Sequence, residues 1–207
     1  MRYVKKIPLT DRELSNKLIS EGWTKLKEPS NLGIATLLSV LFMFINGAIS
    51  MVIAFYLYPP LKELLNSKQG FSLSFTVNLF TLIFLVIIFA FMALHEFVHV
   101  FFIPNILKSD KTYWGINGFF GFVYTTEKIK KGRFLIISSM PFILLSIILP
   151  FILNILGWLN GYIILLCLIN AMGSCVDCLN ICLVVMQVPN DSYIVNNGFE
   201  TYFGGEK

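Results

Sequence analysis

Charge is scarce in this chain. Asp, Glu, Lys and Arg make up 14% of its 207 residues, against 56% hydrophobic residues; soluble domains carry about a quarter charged residues. A soluble globular domain is therefore not the expectation. There is no long basic run and no nucleic-acid motif, so the net charge of +4 reads as membrane orientation rather than as a nucleic-acid surface. Cysteine is confined to Cys167, Cys175, Cys178 and Cys182, all within one apolar segment. That excludes a secreted disulfide framework, which staples loops. The first thirty residues lack the apolar centre and small-residue cleavage site of a signal peptide, so the first apolar segment is expected to stay as an anchor. No internal repeat or low-complexity tract occurs.

What is abundant is long apolar sequence. A helix crossing a bilayer needs about 20 apolar residues, and four segments qualify: about 32–58, 75–103, 134–153 and 162–188. Pro59-Pro60, Pro104 and Pro189 stop three of them. The expected class is an all-α membrane protein of four transmembrane helices, with a loop at 104–132 containing a short β-hairpin. Residues 1–31 are a polar arm, 32–188 the membrane-embedded domain and 189–207 a tail. In the arm, a short helix is expected around Asp11 to Leu18, with Thr10 as its cap and Glu13 closing a capping box. Lys and Arg number seven in the arm, six in residues 104–133, two in residues 59–74 and none in 154–161. The positive-inside rule then places arm, large loop and tail in the cytoplasm, for a multi-pass protein of the cell membrane. In the large loop, Thr112–Ile116 and Phe119–Thr125 are rich in strand formers and Asn117-Gly118 separates them, a two-residue hairpin signal. An interfacial aromatic belt is the plainer alternative.

The chemistry-bearing residues are few. The chain has two histidines, and both lie in His95-Glu96-Phe97-Val98-His99. At i and i+4 their imidazoles share a helix face and can bind one metal ion, while Glu96 is placed to take a proton from a water that the metal activates. Ionisable groups inside a membrane segment are costly and usually functional. A helix end that merely meets headgroups is the structural alternative. A catalytic zinc takes three protein ligands and keeps one open position. With no third histidine, the third ligand is a carboxylate or a thiolate. Asp177 leads, as the one other acidic residue in an expected span. It lies ten residues before Gln187, and His95 lies nine before Pro104, depths of roughly 15 and 13 Å at 1.5 Å per residue. Cys175 or Cys178 is the thiolate alternative, although the cysteine stripe faces about 100° away from Asp177. Asn170, Ser174 and Asp177 form one stripe, and Gly173 permits close approach of a neighbouring helix. Asn170 and Ser174 are thus candidate substrate-binding residues, or simply interhelical hydrogen-bonding groups.

The His95–His99 motif late in one span, with Asn170 and Asp177 in a later one, resembles the site-2-protease class of intramembrane metalloproteases. More closely, the layout is similar to the small bacterial membrane proteins grouped as putative zincin peptidases, from about residue 30 onward. The site-2-protease pattern differs in having prolines between its Asn and Asp and a Gly after the Asp. Here Gly173-Ser174-Cys175-Val176 fills the gap and Cys178 follows Asp177. The resemblance implies zinc held by His95, His99 and Asp177, Glu96 as catalytic base, and hydrolysis of peptide bonds in membrane-associated or membrane-spanning substrates. The expected partners are the lipid bilayer and a membrane protein or peptide substrate, with no nucleic acid. The alternatives are a non-catalytic metal-binding membrane partner or immunity-type protein and, with less support, a metal transporter or sensor using the histidines and cysteines.

Overall fold

The computed structural model describes residues 2–5, 8–66, 76–104, 111–117 and 120–205. Four helices are long and apolar enough to cross a membrane: Gly33–Leu57, Leu79–Phe102, Lys131–Ile155 and Gly161–Gln187, with mean hydropathies from 1.9 to 2.5. The first, α2 (Leu32–Leu57), starts at Asn31, whose side chain accepts from the Ile34 N–H. It ends ahead of Pro59, as the residue before a proline avoids the helical region. A short helix α3 (Pro59–Asn66) follows. The helix carrying both histidines, α4 (Leu79–Phe102), opens with a capping box between Asn78 and Thr81. It begins a few residues later than its hydrophobic run suggests; Phe75, the expected start, lies outside the described residues.

The third and fourth long helices are not uniform. The third runs as α5 (Lys131–Pro141), a π-helical turn over Phe142–Ile148, and α6 (Leu149–Ile155). The fourth breaks at Ser174 into α7 (Gly161–Gly173) and α8 (Cys175–Gln187). Ser174 Oγ donates to the Asn170 carbonyl four residues back at 2.9 Å, a back-bond that bends helices next to glycine. Gly173 does permit close approach: an added Cβ would stand 3.1 Å from the Met92 methyl on α4.

The all-α expectation needs a correction, because two small sheets sit at one end of the helices. Strand β1 (Arg2–Tyr3) lies parallel to β3 (Thr112–Asn117), which pairs antiparallel with β4 (Phe120–Thr125). The hairpin thus exists, but Asn117 pairs with Phe120. The connecting residues are 118 and 119, not Asn117-Gly118, and they lie outside the described residues. The second sheet has four strands, with the two tail strands in the middle. It joins the arm (β2, Thr24–Lys25), the loop before the third long helix (β5, Ile129–Lys130) and a tail hairpin (β6, Tyr193–Asn197; β7, Glu200–Gly204). Pieces of two residues paired across most of the chain leave no local periodicity to read. The tail hairpin does have a legible signal, Asn197-Gly198, with Gly198 at φ +63. In the arm, helix α1 (Arg12–Ser20) is capped by Asp11 rather than Thr10, through the Glu13 and Leu14 N–H groups.

Arm and tail are held together by Asn197. Its Oδ1 accepts from the Asp11 N–H at 3.0 Å, and its Nδ2 donates to the Asp11 carbonyl at 2.7 Å and to Ser15 Oγ at 3.0 Å. The side chain is 2% exposed, so its loss strands buried partners, at about 1–3 kcal/mol. Beneath it pack Leu18, Trp23, Val195 and Tyr202. Asn197→Ala is therefore expected to lower hydrogen-exchange protection in α1 while the long helices keep theirs. Unchanged protection in α1 would refute this account of the arm.

Candidate metal centre

The two histidines are one helical turn apart on α4, and their rings meet edge to face at 4.9 Å between centroids. Opposite them, the first turn of α8 carries Asp177, a position where the helix dipole favours a negative side chain. His95 Nε2 stands 3.3 Å from Asp177 Oδ2, and His99 Nε2 stands 3.5 Å from Asp177 Oδ1. One ligand atom from each residue lies within 4.8 Å of the others, and among the described residues this is the group arranged to hold a metal ion. Donors bound at 2.0–2.1 Å to a tetrahedral ion stand roughly 3.3 Å apart, close to the two histidine–carboxylate distances.

Proton positions add a stronger test of fit. His95 Nδ1 lies 2.9 Å from Asn170 Oδ1, and His99 Nδ1 lies 2.8 Å from the Ile137 carbonyl. The Asn170 amide is oriented without ambiguity, because its Nδ2 faces a pure acceptor, the Pro141 carbonyl, at 3.2 Å and also reaches Ser146 Oγ at 2.8 Å. Both Nδ1 atoms therefore face acceptors and carry hydrogen. In neutral rings the Nε2 lone pairs then point at carboxylate oxygens, acceptor against acceptor. Such an arrangement needs positive charge between the groups, from one metal ion or from a proton on each ring. Metal-binding histidines ordinarily donate their other ring N–H to such an acceptor and leave Nε2 for the ion, so the donor set fits a metal.

His95, Glu96, His99 and Asp177 all line a cavity of about 630 Å³. Its walls come from far along the chain: Leu26 and Glu28 of the arm, Phe122 and Val123 of β4, Asn180 and Val184 of α8, and Thr201 of β7. Val123 of β4 lines the cavity together with Glu96. Glu28 is anchored at the rim, with its two oxygens accepting from the Thr201 N–H and Oγ at 2.8 Å each. Burial pushes the Glu28 carboxyl above its ordinary value, against those two bonds.

Of the two expectations for Asn170 and Ser174, substrate binding and hydrogen bonding within the helix bundle, the contacts seen are of the second kind. Both are fully buried, and neither lines the cavity. Asn170 instead orients His95, and Ser174 bonds the Asn170 backbone. Of the thiolate alternatives, Cys178 pairs with Asn46 on α2, whose Nδ2 lies 3.3 Å from its sulfur, and neither Cys175 nor Cys178 joins the metal group. Sequence reading missed the Ile137 carbonyl, Ser146 and the arm residues at the cavity. Only the first had a signal, the proline four residues later. Metal content is expected to survive Cys175→Ser and Cys178→Ser and to fall with Asp177→Ala. Elemental analysis of purified protein checks this, and a drop in the cysteine variants would shift the third ligand to sulfur.

Neither a curated protein nor a solved structure matches the chain. A family model described as "Putative zincin peptidase" matches residues 88–193, about half of the chain, from mid-α4 to the start of β6. That stretch contains both histidines, Glu96 and Asp177. The chain belongs to the putative zincin peptidase family.

Proposed function

We propose that this protein is a zinc-dependent endopeptidase of the cell membrane, hydrolysing peptide bonds of membrane-associated or membrane-spanning substrates. The observation that carries the reading is the convergence of His95, His99 and Asp177 in one cavity with Glu96. Family membership supports metallopeptidase chemistry. The four long apolar helices support a membrane setting, and the Lys and Arg bias supports cytoplasmic termini. The place of the metal group on helices long and apolar enough to span a membrane supports the choice of substrate.

His95 and His99 would hold zinc through Nε2, and Asp177 through its carboxylate. When bound, zinc supplies a Lewis acid that acidifies water and polarises a peptide carbonyl. Glu96 takes the proton of the attacking water on a carboxylate oxygen and delivers it to the leaving amine nitrogen. Asn170 and the Ile137 carbonyl keep both imidazoles turned toward the metal. Met92, Ile137 and Val176 give the cavity apolar walls that limit water access.

Strand β4 is the outer strand of its sheet. The Val4 N–H bonds the Trp114 carbonyl from the β1 side, so Trp114 directs its backbone groups away from β4. Its partner Val123 then directs its own away from β3, toward the cavity it lines. A polypeptide drawn out of helical form can lie along this edge, as extended peptides do on exposed sheet edges.

Glu96→Gln tests the mechanism. With purified protein and single-span model peptides in liposomes, cleavage is expected to fall by about 10²–10⁴-fold, with zinc content unchanged at about one ion per chain. Wild-type rates in the variant would sink the proposed role of Glu96.

A further inference from the structure

The third long helix contributes no metal ligand, yet it supplies the acceptor that orients His99. In an α-helix the carbonyl of Ile137 would accept from the N–H of residue 141. That residue is Pro141, which has no N–H. The next donor, the Phe142 N–H, turns back to the Ser139 carbonyl instead. The Ile137 carbonyl is thereby left without a helical donor in a residue only 9% exposed. An orphaned carbonyl in apolar surroundings must find another partner, and it finds His99 Nδ1 at 2.8 Å. The Pro141 carbonyl itself accepts from Asn170 Nδ2. In the π-helical turn that follows, Ser146 Oγ accepts from the same amide and donates to the Cys167 carbonyl at 2.9 Å. The Asn170 oxygen is thus the atom turned to His95.

We propose that Pro141 is a positioning residue for the metal centre. By withholding one helical hydrogen bond it releases the Ile137 carbonyl for His99, and through its own carbonyl it fixes the Asn170 amide that orients His95. This role rests on the zinc reading above. Pro141 touches neither substrate nor metal; it acts by setting which nitrogen of each ring carries hydrogen. Outer partners of metal-binding histidines commonly govern metal affinity by 10–100-fold.

The role separates from a structural one by the sign of two effects. A proline inside a helix ordinarily destabilises it, so Pro141→Ala restores a donor and should leave the metal-free protein at least as stable to heat. The restored N–H competes for the Ile137 carbonyl, and zinc affinity should fall by about 10–100-fold. The experiment is competition titration of zinc with a chromogenic chelator on detergent-solubilised full chain, beside thermal unfolding of the metal-free form. Pro150→Ala, in the same long helix, serves as the comparison and should bind zinc like the wild type. Zinc affinity within twofold of wild type in Pro141→Ala would overturn the proposal, as would an equal loss in Pro150→Ala. Should Pro141→Ala fail to fold, nitrogen NMR of histidine-labelled wild type decides, since the chain has only two histidines. Zinc on Nε2 with hydrogen on Nδ1 is expected for both, and zinc on Nδ1 of His99 overturns the proposal. A wild-type protein that binds no zinc defeats the zinc reading itself, whereas zinc binding indifferent to Pro141 defeats only this role.

Discussion

Two neutral imidazoles can join a carboxylate in holding one metal ion inside an apolar helix bundle only if their protons are fixed on the far side of each ring. Here that condition is met by two hydrogen bonds, from His95 to Asn170 and from His99 to the Ile137 carbonyl. Much of the buried polar structure exists to make those bonds possible. The break at Ser174 lets α8 start anew, with Asp177 in its first turn. The π-helical turn brings Ser146 to Asn170. Gly173 lets Met92 of α4 come close, which draws the helix carrying the histidines against the end of α7, just ahead of α8. Among described buried side-chain polar atoms, none lacks a partner, as low-dielectric surroundings demand.

The sheets at one end of the bundle serve the same site from outside. Phe122 and Val123 of β4 form part of the cavity wall, and Val123 packs with Ile103, Ile129 and Ile137, close to the residue whose carbonyl holds His99. The arm and tail complete the wall. Leu26 packs with Val184, Val188 and Ile194, while the Gln187 amide bonds both the N–H and the carbonyl of Lys27. A segment only 25 residues from the N-terminus is therefore part of the cavity that holds Asp177. Helices alone would leave that end of the metal group open.

The legible and the hidden parts of this protein divide along a physical line. The four long helices could be read because apolar runs bounded by proline are local signals, and the His95–His99 spacing could be read because a helix repeats every 3.6 residues. Asp177 was reachable by elimination and depth. The sheet joining β2, β5, β6 and β7 was not, since its pairings bring together residues as distant as Thr24 and Phe203. Asn170 was picked out from the right stripe, with substrate binding and interhelical hydrogen bonding both left open, and it makes hydrogen bonds between helices. A buried amide between helices and a substrate-facing amide have the same sequence signature. The Ile137 carbonyl has no side-chain signature at all; only Pro141, four residues on, hints that it is free.

Charge explains why this site can exist where the rest of the bundle is so apolar. A cluster of two histidines and two acids carries a net negative charge, and a charged group within a bilayer costs several kcal/mol. The proposed divalent ion would offset the carboxylates of Glu96 and Asp177 and leave two neutral imidazoles, so the filled centre is electrically neutral. A second acidic ligand would leave an excess negative charge, and a neutral ligand in place of Asp177 an excess positive one. Two neutral donors, one anionic donor and one anionic base satisfy both the metal and the surroundings. On the same reasoning Glu28, the remaining acid of the cavity, belongs where it lies, ahead of the first long helix and bonded to Thr201, where the Thr201 N–H and hydroxyl offset its charge.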